Sequence, residues 1–187
     1  MKHGLCLLGA AALMLAGAGA GFAQDDSTLT AEQLAAKFQA QMTRGLVIAP
    51  SDATVPTTAD PNAKLPADTT YVAVDPSAQV NIQIKFDFDS AAIGAGEADK
   101  LTTLCEVIKA SNIPSFKIIG HTDSSGSTGY NQNLSTLRAE EVKRHLVDDC
   151  GVPAEKLVAV GVGEAFPADK ADPRADVNRR VEFQVGS

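Results

Sequence analysis

Positive charge is in short supply in this chain of 187 residues, which sets 16 Lys and Arg against 23 Asp and Glu for a net charge of −7. Such a chain repels phosphate backbones and anionic head groups, which argues against nucleic-acid and membrane-surface binding. Histidine is scarce as well, with three in the whole chain. His121 and His145 lie far apart in sequence, too few for an ordinary zinc site of three or four converging ligands. A metal site and a cofactor are therefore not expected. No Gly-x-Ser-x-Gly nucleophile elbow occurs. Gly161-Val-Gly163 is too short for a dinucleotide loop and reads as a turn after a strand. No internal repeat of useful period is present.

Long apolar runs are also missing. The strongest, around Leu7 and Leu13 to Leu15, gives way to a Gly/Ala tail with Gly17, Gly19 and Gly21, short of the ~20 residues a membrane span requires. With Lys2 in front and Gly21 and Ala23 at the exit, residues 1–23 have the pattern of a secretory signal peptide. Its removal takes Lys2 and shifts the net charge from −7 to −8. Cys6 precedes the apolar run, the wrong place for a lipoprotein's acylated cysteine. Two cysteines then remain, Cys105 and Cys150. Export to an oxidising compartment favours a disulfide between them over two free buried thiols.

The rest of the chain divides by composition. Thr30-Ala-Glu-Gln33 is a capping box followed by Leu34, Ala35, Phe38 and Met42 at helical spacing, which predicts a helix over 31–43 within an N-terminal segment, 24–48. A helix this short is marginal alone and should dock on its own domain or on a partner. Residues 49–75 carry Pro50, Pro56, Pro61 and Pro66 among Asp, Thr and Ala, the composition of a linker. At about twenty residues its proline-rich part could reach ~25 Å as a coil and ~60 Å in polyproline form.

From residue 76 to the end the pattern is that of a folded domain. Val80, Ile82, Ile84 and Phe86 alternate with polar residues as in a half-buried strand. Ala98, Leu101, Leu104, Cys105 and Ile108 then fall at helical spacing. A strand follows at 116–119, a Gly/Ser/Thr-rich loop at 120–129, and a helix over 133–149 with Leu134, Leu137, Val142 and Leu146 inward. Strands at 157–162 and around Val181, Phe183 and Val185 complete the order β-α-β-α-β-β. The expected fold class is α+β, a two-layer α/β sandwich whose mixed sheet is covered by helices on one face.

The informative stretch is Gly120-His-Thr-Asp-Ser-Ser-Gly126, Tyr130-Asn-Gln-Asn-Leu-Ser135 and Arg138-Ala139. Asp123 leaves a strand in a loop, and Arg138 lies in the helix that follows. An acid and a guanidinium held apart across a cleft complement a zwitterion, the carboxylate taking an ammonium and the guanidinium a carboxylate. The spacing equally allows an internal ion pair or two unrelated surface charges.

These motifs, together with Phe86-Asp-Phe-Asp-Ser90, Gly161-Val-Gly-Glu164, Pro167 and Asn178-Arg-Arg-Val-Glu182, resemble in order and spacing the OmpA-like peptidoglycan-binding domain. That module is found in OmpA porins, Pal lipoproteins and flagellar stator proteins. The resemblance covers about 110 residues. It implies a non-enzymatic domain that binds the diaminopimelate of the peptidoglycan stem peptide without a covalent bond. Asp123 matches the acid that takes the diaminopimelate ammonium, and Arg138 the arginine that grips its carboxylate. Asn131 matches a polar pocket contact and Asp89 a ligand-facing position. Arg180 matches a basic rim residue, with Thr122 and Val177 as backbone contacts. Residues 168–177 look shorter than in many relatives. Residues 24–75 cannot supply a transmembrane β-barrel of eight or more ~10-residue strands. The protein expected is periplasmic, or associated with the outer membrane through a partner. An enzyme using His121-x-Asp123 is the first rival. The second is an interaction module of the same fold, recruiting an envelope protein through its N-terminal helix.

Overall fold

A computed structural model describes residues 25–44, 71–86 and 90–186. The signal peptide at 1–23, most of the linker at 49–75 and Asp89 lie outside the described residues.

Four strands form one mixed sheet in the order β1-β4-β2-β3. They are β1 (Val80–Ile82), β2 (Phe116–Gly120), β3 (Leu157–Gly161) and β4 (Val181–Val185). β2 and β3 run parallel, with Phe116 opposite Leu157. β4 is antiparallel to β2 and β1, with Ile118 opposite Phe183 and Val80 opposite Phe183. Helices α1 (Ala31–Arg44), α2 (Thr102–Ala110) and α3 (Thr128–Asp148) pack on one face. Strand alternation fills the core there: Val80, Ile82, Phe116, Ile118, Val181 and Phe183 meet Leu104, Ile108, Val142 and Leu146. The expected α+β sandwich is thus the observed fold.

α1 is part of this core. Thr30 and Gln33 form the reciprocal cap, Thr30 N donating to Gln33 Oε1 at 2.9 Å and Gln33 N to Thr30 Oγ1 at 3.3 Å. Leu34 and Phe38 are each 1% exposed, and the Phe38 ring meets Phe116 edge-on at 5.1 Å. Gln41 Nε2 donates to Ala78 O at 2.8 Å, and its Oε1 accepts from Val185 N at 2.7 Å. Lys37 pairs with the buried Asp26 at 2.9 Å, and Asp26 accepts from Asn81 N. Of the two docking surfaces open to the helix in sequence, it takes its own domain.

α3 departs from expectation in two respects. It begins at Thr128, five residues before the expected start at 133, because Ser127 caps it by accepting from Tyr130 N at 3.3 Å. Its inward face is Asn131, Ser135, Ala139, Val142 and Leu146, whereas Leu137 is 57% exposed. The reason is the close passage of α3 over β2 and β3. A Cβ on Gly120 would stand 2.1 Å from Ser135 O, and one on Gly161 would stand 2.4 Å from Thr136 N. Only small residues fit such a crossing.

The other face of the sheet carries polar side chains that are nevertheless buried. Glu182, 0% exposed, is the hub. It accepts from Tyr71 Oη at 3.2 Å and Gln184 Nε2 at 2.7 Å, and faces His121 Nε2 at 3.2 Å. Tyr71 stacks edge-on against His121 at 5.8 Å, so the last residues of the expected linker lie on the sheet. Burial lowers the His121 pKa, Arg180 adding to this and Glu182 opposing it. His121 is a neutral structural group here, with no exposed nitrogen for the hydrolase role weighed from sequence.

Cys105 on α2 and Cys150 after α3 are joined, closing a separation of 45 residues, worth up to about 4 kcal/mol in the chain-entropy account. If α1 belongs to the cooperative unit, Phe38→Ala should cost about 3 to 5 kcal/mol in urea unfolding. A change under about 1 kcal/mol, the level of ordinary surface substitutions, would show that the helix docks only loosely.

Candidate functional site

The loop after β2 starts with its backbone held on both sides. His121 N donates to Arg180 O at 3.0 Å and Thr122 N to Gly163 O at 2.9 Å. Thr122 is 4% exposed, its hydroxyl buried without a hydrogen-bond partner among the described residues. It fixes the loop and presents nothing to solvent.

Asp123 follows, and two donors hold its carboxylate. Oδ1 accepts from Ser125 N at 2.8 Å, and Oδ2 meets Arg179 Nη1 at 2.7 Å. Arg179 also reaches Asp176 Oδ1 at 2.5 Å. Burial by itself raises the Asp123 pKa, but the Arg179 and Ser125 hydrogen bonds outweigh it and hold the carboxyl below the usual range. Asp123 therefore stays charged at neutral pH. Its lone pairs exceed the two donors present, so a ligand ammonium can still be accepted.

Asn131 lies beneath this loop at 1% exposure. Its amide donates to Asp123 O at 3.3 Å and to Glu164 Oε2, while Thr128 Oγ1 donates to Glu164 Oε1 at 3.0 Å. The residue expected as a ligand contact is a support that ties the Asp123 loop to the turn after β3.

Arg138, two turns further along α3, lies over the Phe86 ring at 4.6 Å and donates from Nε to Ser90 O at 3.4 Å. Among the described residues no carboxylate stands within ion-pair distance of it. Burial lowers its pKa, Tyr130 and Asp123 oppose that, and Arg179 adds to it. Arg138 thus lies within the field of Asp123 without forming the internal pair that sequence spacing allowed. A 420 Å³ cleft takes in Arg138, Arg179, Phe86, Lys85 and Lys100 together with Asp25 and Asp176, a wall of net positive charge suited to a carboxylate.

Arg180 does not stand at the rim expected for it. It is 4% exposed and turns to the opposite face, where Nε donates to Asn81 Oδ1 at 3.0 Å and Nη2 stands 3.8 Å from Glu182 Oε2. The arginine that meets Asp123 is Arg179. Asn178 sets this split. Its side chain accepts from Asp169 N and donates to Asp172 O, both at 2.9 Å, anchoring the short loop before β4. Val177 lies in the turn 176–178, half-buried.

Arg179→Ala should move the Asp123 pKa upward, since burial then acts unopposed by the ion pair. A group whose pKa is depressed in the fold stabilises above its ordinary range, ~3.9, and loses that contribution as pH falls through its folded value. Arg179 is 41% exposed, so the loss at neutral pH should stay under about 1 kcal/mol. Carboxyl NMR titration of both proteins checks this, and an unchanged pKa would contradict it.

Comparison with known proteins agrees with the fold and the motifs. The OmpA family model matches residues 85–180, about half of the chain. Outer membrane porin F of Pseudomonas aeruginosa is 40% identical over 116 residues, covering 60% of this chain and 33% of its own length. Outer membrane protein A of Bordetella avium is 30% identical over 107 residues, covering 56% of this chain and 55% of its own. The chain thus spans a third to about half of these relatives. Among solved structures, the OmpA-like domain of FopA1 from Francisella tularensis aligns with a TM-score of 0.50 and 26% identity, over 58% of this chain and 75% of that one. Among the described residues, no helix is long and apolar enough to cross a membrane. The chain belongs to the OmpA family, whose domains are non-enzymatic binding modules of the bacterial envelope.

Proposed function

We propose that this chain binds peptidoglycan reversibly, capturing the zwitterionic end of a diaminopimelate stem residue between Asp123 and Arg138. One observation carries the reading: Arg179 bonds the charged Asp123 and shares a 420 Å³ cleft with Arg138, which has no carboxylate partner among the described residues. Arg138 takes the ligand carboxylate, held flat by Phe86. Asp123 takes the ammonium, with Arg179 sharing its carboxylate. Asn131 and Thr122 keep the loop in place, and Asp89 stays a proposed rim contact. Family membership supports peptidoglycan as the ligand class, and a periplasmic or outer-membrane-associated location follows from the same reading.

The contact is polar and partly wet, so single-site affinity should be modest and reinforced by ligand density in the wall. It should weaken with salt. An envelope partner at α1, the alternative role, would have to use the outer surface of the helix, because Leu34 and Phe38 are spent on the core.

Purified chain should co-sediment with isolated peptidoglycan sacculi at neutral pH. Asp123→Ala and Arg138→Ala should each weaken retention about tenfold or more, as expected on truncating one partner of a close charge contact. A wild-type chain left in the supernatant, or folded variants that pellet equally well, would overturn the assignment.

A further inference from the structure

The disulfide between α2 and α3 has a third neighbour. His145, on the last turn of α3, brings a ring nitrogen to within 4.8 Å of the Cys105 and Cys150 sulfurs. The bridge does not require an imidazole there. His145 Nδ1 lies 2.7 Å from Asp149 Oδ2. A carboxylate on one imidazole nitrogen is the arrangement that orients a metal-ligating histidine. All three side chains line a 310 Å³ surface cleft that also carries Asp99, Glu106 and Asp149 beside Lys109, giving a dication an open approach of net negative charge.

The scarcity of histidine argues against zinc only while His145 and the cysteines are considered separately; the fold assembles them. Two thiolates and one imidazole form a recognised zinc donor set whose fourth position is left to water. We propose that reduction of the Cys105–Cys150 bridge converts this corner into a zinc site, ligated by both sulfurs and His145, with water in fourth place. The bridge takes two electrons and two protons from a dithiol, which leaves as its own disulfide. Zn²⁺ then replaces the two thiol protons, so binding releases two protons and forms two Zn–S bonds and one Zn–N bond. While the bridge is intact the sulfurs are bonded to each other and the site is closed. The same pair would serve as a covalent brace under oxidising conditions and as a metal clip under reducing ones.

The test uses the full chain with Cys6→Ser, so that Cys105 and Cys150 are its only cysteines. The protein is reduced with a dithiol, freed of it anaerobically and titrated with Co²⁺. One Co²⁺ per chain should bind, with thiolate-to-cobalt charge-transfer absorption and the visible bands of tetrahedral cobalt, and Zn²⁺ should displace it. The oxidised protein should show neither. His145→Ala should weaken binding at least about tenfold, and Cys105→Ser should remove the charge-transfer band in large part. The proposal fails if the reduced chain shows no such bands. It fails equally if His145→Ala binds as tightly as the parent while its circular dichroism is unchanged. A reduced chain that unfolds and does not refold on adding Zn²⁺ would also overturn it.

Discussion

Where α3 crosses β2 and β3, the strands contribute no side chains. Gly120 and Gly161 meet the backbone of Ser135 and Thr136 at distances that leave no room for a methyl group. Ser135 Oγ accepts from Gly163 N at 2.9 Å in the same place. The crossing fixes the height and rotation of α3, and with them everything upstream and downstream on that helix. Asn131, one turn earlier, is set directly under the Asp123 loop, and Arg138, one turn later, is set over Phe86. A helix riding higher on larger side chains would carry Arg138 away from the cleft. Packing density in the core therefore governs electrostatics at the surface.

The sheet separates two kinds of polar chemistry. On the helix-covered side Arg179 faces Asp123; on the other side Arg180 joins Glu182, His121, Tyr71 and Asn81 in a buried network. Burying a carboxylate as deeply as Glu182 is costly unless its lone pairs are filled, and donors from β4, from Tyr71 and from the residue after β2 converge on it. The interior network holds β1, β2 and β4 together with the segment that leads into β1. The exterior one stays partly accessible and keeps its charges available. Consecutive arginines serve these two ends because neighbouring residues entering a strand point to opposite faces.

Much of this was legible in the sequence, and the failures have physical causes. The strands and the capping box of α1 could be read because alternation and capping are local signals. The start of α3 was hidden because Ser127, Thr128 and Gly129 have the composition of a loop, although Ser127 is also a helix cap. Apolarity alone puts Leu137 inward, whereas the face against the sheet is set by how small Asn131, Ser135 and Ala139 are beside two glycines. Resemblance favours Arg180 over Arg179, yet strand parity points the other way: residue 180 shares its face with Glu182 and Gln184, and residue 179 shares its face with Val181 and Phe183. The contact between Asp123 and Arg179 spans 56 positions and has no local signature. The meeting of His145 with the two cysteines likewise depends on how α2 and α3 pack.

In the proposed complex the Asp123 carboxylate and the Arg138 guanidinium read both charges of one amino-acid end group. A lysine in the same stem position keeps the ammonium and lacks only the carboxylate that Arg138 would grip. NMR titration of the isotope-labelled chain with soluble muropeptides carrying diaminopimelate or lysine isolates that difference. Saturable shifts are expected at Asp123, Arg138 and Arg179 with the diaminopimelate muropeptide, with at least about tenfold weaker binding of the lysine form. Equal affinity for the two, or shifts that bypass Arg138, would contradict the proposed complex.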